Sequence, residues 1–313
     1  MSDSGSAQAG GALVQPPPEM GGAWMRRQQM GQRLLGRTFL YLVLAVLTVV
    51  LVAPLVWMVS ASFKPEGYVF EYPPRLIAEQ VQWWNYVEAW NQFPFWRSLR
   101  NTMTITIGVE AGRLLSASLT AYVFARLRFP GRNALFLLVL STMMIPYHVV
   151  LIPQYILFRE LAWLDSFKPL IVPHFFGGGA FFIFLLRQFF MTIPRDYDDA
   201  ARIDGAGTFA ILWRIILPMS KPALATVAIF TFMAEWNDFL APLIYLNSQE
   251  KYTLAIAIRQ WQQVAVWGAG AYVPPTWNAI MAMATVLTIP PVVLFFFTQR
   301  YFIQGVVISG IKG

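Results

Sequence analysis

The feature that most constrains this chain is a run of 26 residues without a charged side chain, between Arg37 and Lys64. An α-helix rises 1.5 Å per residue, so about 20 apolar residues cross the hydrocarbon core of a bilayer. The run is too long for the apolar core of a signal peptide. It therefore predicts a first membrane-spanning helix.

Further apolar stretches predict more spans of this kind. Apolar residues make up 57% of the chain and charged residues only 12%, about half the share usual in globular domains, and the mean hydropathy is +0.52. Gly177, Gly178 and Gly179 in the fourth span are expected to allow a close helix approach. The sequence thus predicts an all-α integral membrane protein with six transmembrane helices, the last five at about 101–125, 133–158, 169–193, 222–246 and 278–299.

The distribution of basic residues predicts the orientation of these spans. With the N-terminus inside, 14 of the 23 Lys and Arg residues lie in inner segments, 8 lie in outer segments, and Arg113 lies in the second span. Because inner loops are the more basic, both termini are expected in the cytoplasm. The basic residues flank apolar runs and form no single patch, so the net charge of +7 does not indicate nucleic-acid binding.

Residues 1–36 are rich in Gly, Pro, Gln and Ser and end in a basic cluster, which predicts a disordered cytoplasmic tail ahead of a membrane domain at 37–313. The chain has no cysteine, which excludes disulfides, thiolate catalysis and Cys-based metal sites. His148 and His174 have no partner at ligand spacing, so we expect no metal site.

The polar segment at 194–221 has a helix–turn–helix pattern. Pro194 ends the fourth span, and Pro218 precedes the fifth. Asp198 and Asp199 fall in the first turn of a short helix, where its dipole favours negative charge, and Gly205 permits the turn that ends it. A second helix is predicted from an apolar stripe at Phe209, Leu212, Trp213 and Ile216. The pattern alone is equally compatible with a connector resting on the membrane and with a docking surface.

The same segment resembles the signature loop of ABC importer permeases. That loop has the form Glu-Ala-Ala, three residues and Gly, followed later by an apolar stretch ending in Leu-Pro. Here the matching residues are Asp199, Ala200, Ala201, Gly205, Ala206, Leu217 and Pro218. Asp199 replaces the usual Glu, which keeps the charge and shortens its reach.

Other stretches resemble the maltose-type, binding-protein-dependent sugar permeases of bacteria. They are RSLRNTM at 97–103, AYVFARLRFPGR at 121–132, IPQY at 152–155, LLRQFFMTIP at 185–194, EWNDFLAPLIYL at 235–246 and QRYFIQG at 299–305. The resemblance implies the type I ABC importer arrangement, in which a six-helix permease in the bacterial plasma (inner) membrane pairs with a second, different permease. It also implies two copies of an ATPase subunit below and an extracytoplasmic solute-binding protein above, with a carbohydrate as the solute.

By this resemblance, the ATPase-coupling residues are Asp199, Ala200, Ala201, Asp204, Gly205 and Ala206. ATP and Mg are then expected on the partner ATPase, with no cofactor on this chain and no enzymatic activity of its own. A phosphate-binding P-loop needs a Gly-Lys pair, and none of the lysines here follows a glycine.

Charged residues inside the predicted spans are further candidates, since a charge at bilayer depth is unfavourable unless it is paired or faces water. Glu110 and Arg113 lie three residues apart on one face of the second span. An ion pair between them that holds helices together is favoured over a role in transport.

Glu235, Trp236, Asn237 and Asp238 form a polar strip in the fifth span. Their acceptors suit hydroxyl groups, and the indole could stack on a sugar ring, so they are candidates for the translocation path. Helix contacts at the subunit interface are an equally weighted alternative. The acidic character of the strip favours neutral sugar over the glycerol phosphate solutes of related permeases.

A secondary transporter driven by an ion gradient is the competing class of function. It would explain Glu110 and Asp238, but it leaves the helix–turn–helix at 194–221 without a purpose. It also predicts internal repeats, and the sequence shows no convincing ones.

Overall fold

The computed structural model describes the backbone of residues 21–77, 79–267 and 276–310, and side chains over 36–77, 79–264 and 276–299. These residues form α-helices, short 3-10 helices, one π-turn and loops, and no β-strand occurs among them. The all-α prediction is therefore confirmed. The chain divides into two units, residues 1–57 and residues 58–313.

The described part of the first unit is the beginning of helix α1, which runs from Gly21 to Ser62. Its segment Gly36–Ser62 is long and apolar enough to cross a membrane. The backbone is helical from Gly21 on, where composition predicted a disordered tail as far as residue 36. Residues 22–35 contain the good helix formers Met, Arg, Gln and Leu and no proline, which allows the helix to continue through them. Residues 1–20 lie outside the described range.

The second unit is built around one long helix, α3 (Phe95–Arg126), which covers the predicted second span. It is preceded by α2 (Trp84–Gln92) and followed by α4 (Arg132–Ser141) and α5 (Tyr147–Glu160). The predicted fourth span consists of three pieces: α6 (Lys168–Ile171), α7 (His174–Gly177) and α8 (Ala180–Thr192). Both α7 and α8 pack along α3.

The polar segment follows as α9 (Asp196–Ile203), α10 (Thr208–Ile211), a π-turn over Leu212–Ile216 and α11 (Leu217–Met219). The remaining helices are α12 (Lys221–Asn237), α13 (Leu240–Tyr245), α14 (Leu254–Trp267) and α15 (Trp277–Gly310). Helix α12 packs against both α3 and α15.

Three helical segments of the described chain are long and apolar enough to span a membrane: Gly36–Ser62, Lys168–Thr192 and Trp277–Gln299. Two bent pairs, Arg132–Met144 with Tyr147–Glu160 and Thr208–Met219 with Lys221–Asn237, raise the number to five if each pair is one span. Helix α3 is long enough but more polar, because it carries Glu110, Arg113 and several Ser and Thr residues.

The breaks follow from local backbone chemistry. The axis turns by 96° between α4 and α5, where Ile145 adopts an extended conformation before Pro146. A residue that precedes proline is disfavoured in the helical region, which explains why the predicted third span is not one straight helix. The predicted fifth span is interrupted as well, since α12 stops at Asn237 and Asp238 is extended.

The largest apolar core lies at the C-terminal end of α3. Ala117 and Ala121 of α3 are fully buried against Leu186 and Phe190 of α8. Ile216 of the π-turn belongs to the same cluster. The polar segment is thereby attached to the spans through its apolar side chains.

Candidate functional site

Helix α9 is held against the C-terminal end of α3 by a buried ion pair. Arg126, the last residue of α3, lies 3.6 Å (Nε to Oδ2) from Asp198, and both side chains are almost fully buried. A second guanidinium nitrogen of Arg126 donates to the carbonyl of Ile193 at 2.9 Å. The prediction that Asp198 and Asp199 lie in the first turn of this helix is confirmed. Arg126 thus contacts both the first turn of α9 and the residue that follows α8.

The end of α9 has the geometry of a glycine-terminated helix. Gly205 has φ of +83°, a left-handed conformation that glycine adopts without strain. The Ala206 amide donates to the Ala201 carbonyl at 2.9 Å, and the Gly205 amide donates to the Arg202 carbonyl at 3.0 Å. These bonds satisfy carbonyls that would otherwise lack a partner. The predicted turn at Gly205 is confirmed.

One side of α9 is open to solvent. Asp199, Ala200, Ile203 and Asp204 are exposed, and Ile203 is the most exposed of them at 86%. We call these four residues the docking face. This face thus combines an exposed apolar side chain with small and acidic ones.

The six residues predicted for coupling do not share one face. Ala201 is buried in the core under α9, and Ala206 is half-buried, so neither is available to a partner as Ala200 is. Ile203 was not predicted, although an apolar residue between Arg202 and Asp204 is a visible signal in the sequence. Arg126 was missed as well, because its partner Asp198 lies 72 positions away.

The apolar stripe predicted after α9 is only half right. Leu212 and Ile216 are buried, and Ile211 joins them, but Phe209 and Trp213 are exposed. From Leu212 onward the π-turn over Leu212–Ile216 changes the periodicity of the stripe. Its hydrogen bonds span five residues, so side chains five apart share a face, as Ile211 and Ile216 do.

A cluster of polar side chains is centred on Arg113, near the middle of α3. Its guanidinium contacts the Glu235 carboxylate at 3.4 Å, the Thr231 hydroxyl at 3.3 Å and Nδ1 of His174 at 3.1 Å. The ring of Phe182 lies 5.0 Å from the guanidinium carbon. Arg113 therefore connects α3 with α7, α8 and α12.

The predicted pairing of Arg113 with Glu110 is wrong. Among the described residues Glu110 takes part in no ion pair, whereas Arg113 pairs with Glu235 on α12. Helical spacing places two side chains on one face but does not say which neighbouring helix that face meets. No group of three or more His, Asp or Glu side chains in the described part of the chain could hold a metal ion.

The polar cluster adjoins the break between α7 and α8. Gly178 has φ of +52°, and a Cβ there would lie 2.6 Å from the Ala117 amide nitrogen. The hydroxyl of Ser116 donates to the His174 carbonyl at 2.7 Å. The expected close approach at the glycine run is confirmed for Gly178. Gly177 has open space around it.

The polar strip at the end of α12 is largely occupied by contacts within the chain. Glu235 binds Arg113, and Asp238 accepts a hydrogen bond from the Ala241 amide at 3.3 Å. Trp236 is only 6% exposed, stacks on Phe232 and donates to the Leu287 carbonyl at 3.3 Å. Its ring faces are therefore mostly covered.

Asn237 is the exposed member of the strip and borders an open cleft of about 550 Å³. Arg259 and Gln262 of α14 and Thr288 of α15 line the same cleft. The cleft thus offers an amide, a guanidinium and a hydroxyl, which are groups that bind hydroxylated or anionic solutes.

The opposite end of α3 carries a second polar junction. Asp165 accepts hydrogen bonds from the Ser248 hydroxyl at 2.6 Å and from the Asn247 and Ser248 amides, and it pairs with Lys251 at 2.8 Å. The Lys251 ammonium, followed by Ser248, holds the pKa of the Asp165 carboxyl well below its usual range. Asn101, near the start of α3, donates to the carbonyls of Glu250 and Tyr252.

Long apolar helices, a helix broken beside a buried charge and an exposed short helix between apolar helices are features of membrane transport proteins. The comparison with protein families agrees. Residues 114–308 match the family described as binding-protein-dependent transport system inner membrane component. The chain belongs to this family, and the predicted resemblance to ABC importer permeases is confirmed.

Individual relatives extend over most of the chain. It is 34% identical to the sn-glycerol-3-phosphate transport system permease protein UgpE of Yersinia pestis over 87% of its own length and 96% of the relative's. It is 33% identical to the arabinooligosaccharides transport system permease protein AraQ of Halalkalibacterium halodurans, over 86% and 94% of the two chains.

Solved structures show the same fold. A chain of a bacterial ABC transporter involved in import of the acidic polysaccharide alginate superposes with a TM-score of 0.75 at 24% identity, covering 87% of this chain and 98% of that one. A chain of the bacterial alginate transporter in complex with an alginate pentasaccharide-bound periplasmic protein superposes with a TM-score of 0.61 at 16% identity. The match covers 87% of this chain and 95% of that one.

Proposed function

We propose that the chain is one of two different permease subunits of an ATP-driven importer in the bacterial inner membrane. It forms half of the translocation pathway, with six spans, of which α3 is the second, and with both termini in the cytoplasm. Two copies of an ATPase subunit bind ATP and Mg below it, and a solute-binding protein delivers the solute from above.

The observation that carries this proposal is the docking face on α9. Its residues are exposed, while the buried pair of Arg126 and Asp198 fixes the helix at the end of α3. A force that a partner applies to the docking face is therefore transmitted to the long helix α3.

Asn101 and Arg126 of α3 are 25 residues apart. This corresponds to about 38 Å along the helix, which exceeds the roughly 30 Å thickness of the bilayer core.

The proposed solute is a carbohydrate, with a phosphorylated polyol as the alternative. Relatives named for arabinooligosaccharides and for sn-glycerol-3-phosphate support both. The preference for neutral sugar that the sequence suggested is weakened, because Glu235 is paired with Arg113 and Asp238 caps a helix. Asn237, Gln262 and Arg259 remain open in the cleft and suit hydroxyl groups and one negative charge.

The test is Ala200→Trp, which places a large ring on the docking face. Ala200 is exposed, so the substitution leaves the core of this chain intact. We expect membrane insertion and pairing with the second permease to persist, and uptake together with binding-protein-stimulated ATP hydrolysis to fall at least tenfold. The measurements are solute uptake into membrane vesicles and ATPase activity of the purified complex.

The matched control is Thr192→Trp. Thr192 is also exposed, ends α8 close to α9, and lies outside the docking face, and tryptophan is well tolerated at membrane interfaces. The control should retain uptake and stimulated ATPase activity. Normal uptake by Ala200→Trp would show that α9 is only a connector.

A further inference from the structure

Three arginines line an open cleft at the C-terminal end of α3, where the chain turns into α4. The cleft has a volume of about 480 Å³, and we call it the arginine cleft. It is lined by Arg128, Arg132, Arg195, Phe129, Asn133 and Ala134. Its position is separate from the docking face and from the cleft beside Asn237.

The positive charge of this cleft is not balanced by any ion pair among the described residues. None of the ion pairs formed by the described residues includes Arg128, Arg132 or Arg195, and no acidic side chain lines the cleft. Arg126 close by differs, since Asp198 neutralises it. A guanidinium has five N–H donors, and Arg132 uses one of them on the Leu127 carbonyl at 3.3 Å. Like charges held around one cleft favour an anion between them.

The backbone also contributes positive electrostatic potential at the arginine cleft. Helix α4 begins directly at the cleft, after Gly131 in the left-handed conformation with φ of +77°. The first N–H groups of a helix have no partner within the helix, and its dipole is positive at this end. Side chains and backbone therefore both favour an anion with several oxygen acceptors, such as a phosphate group.

The surface next to the cleft is apolar. Leu135, Leu137 and Leu138 follow within the first two turns of α4 and are exposed by 48%, 67% and 63%. Phe129 and Ala134 contribute apolar surface inside the cleft itself. A ligand that satisfies both regions has an anionic head and an apolar tail.

We propose that the arginine cleft binds the phosphodiester headgroup of an anionic phospholipid, whose acyl chains lie along α4. The inference rests on the proposed function only in assigning the lipid to the inner leaflet. Basic pockets beside membrane helices on the cytoplasmic side bind such headgroups through charge, which acts together with hydrogen bonding from arginine.

The test uses the purified importer complex in nanodiscs that contain equal amounts of phosphatidylglycerol and phosphatidylcholine. After release into the gas phase, native mass spectrometry counts the lipids retained. We expect phosphatidylglycerol to be retained in preference to phosphatidylcholine. Arg128→Gln together with Arg132→Gln should lower that retention by roughly fivefold for each guanidinium removed.

Arg214→Gln is the matched control, because Arg214 is exposed in the π-turn and does not line the cleft. It should retain phosphatidylglycerol as the unmodified chain does. Equal retention of both lipids, or unchanged retention in the double variant, would overturn the proposal.

Two other occupants give distinguishable results. If millimolar inorganic phosphate displaces phosphatidylglycerol, the cleft is a site for free phosphate and the lipid assignment is wrong. If the double variant loses the ATPase subunits while the permease pair retains its lipid, the arginines contact protein, which also refutes the proposal. These outcomes are independent of uptake, so failure here leaves the test at Ala200 unaffected.

Discussion

The ion pair between Arg113 and Glu235 gives the sharpest prediction about stability. Both side chains are nearly buried, at 11% and 12% exposure, and they connect helices that are far apart in the sequence. Glu235→Met leaves the guanidinium of Arg113 without a counter-ion, whereas Glu110→Gln changes an acidic residue that has no ion pair among the described residues. The double variant Arg113→Met with Glu235→Met removes both charges.

The expected loss of stability follows from the geometry of the Arg113–Glu235 pair. At 3.4 Å the attraction between unit charges is about 5 kcal/mol at an effective dielectric constant of 20, before desolvation is subtracted. Removal of one member of a buried pair costs about 3–5 kcal/mol. Thr231, His174 and Phe182 still contact Arg113, so we expect about 3 kcal/mol for Glu235→Met. Replacement of both partners by apolar residues is roughly neutral.

The assay is thermal unfolding of the purified complex, followed by loss of its size-exclusion peak. A change of about 3 kcal/mol corresponds to a decrease in Tm on the order of 6–10 °C for a domain of this size. The double variant should recover most of that decrease, and Glu110→Gln should shift the Tm by less than about 2 °C.

Two results would refute the reasoning. If the decreases in Tm caused by Glu235→Met alone and by Arg113→Met alone simply add in the double variant, Arg113 and Glu235 do not interact energetically. If Glu110→Gln destabilises the complex as much as Glu235→Met does, the pairing predicted from helical spacing was right after all.

Three further predictions concern other parts of the chain. Gly178→Ala should prevent accumulation of the folded complex on native gels, because its Cβ meets the backbone of α3, whereas Gly177→Ala should accumulate normally. The lowered pKa of Asp165 means that its stabilising charge is complete above the unfolded pKa of about 3.9 and is lost only as pH falls below that. The Tm difference between the unmodified chain and Asp165→Asn should thus be constant from pH 7 to pH 5, and a decrease within that range would contradict it. Since the chain has no native cysteine, a cysteine at Thr208 should resist an impermeant thiol reagent in intact cells, while one at Asn91 should react; the reverse pattern would invert the proposed orientation.

Features that depend on near neighbours in the sequence were predicted well. The uncharged run between Arg37 and Lys64 lies in α1 as far as Ser62, the aspartates lie in the first turn of α9, and Gly205 follows the end of that helix. Helix length, capping and turns depend on residues within about four positions of one another, so the sequence contains the information directly. The signature of the polar segment is of this local kind, and it was sufficient to indicate the family.

Only the tertiary structure decided which residues meet. Arg113 and Glu235 are separated by 122 positions, and the choice of Glu235 over Glu110 depends on which helix lies against α3. Ala200 and Ala201 are adjacent, yet one is exposed and the other buried, because Arg126 holds α9 in one rotation. Periodicity determines which side chains share a helix face. Packing between segments that are distant in the sequence determines which surface covers that face. Neither that packing nor the arginine cleft can be derived from local propensity.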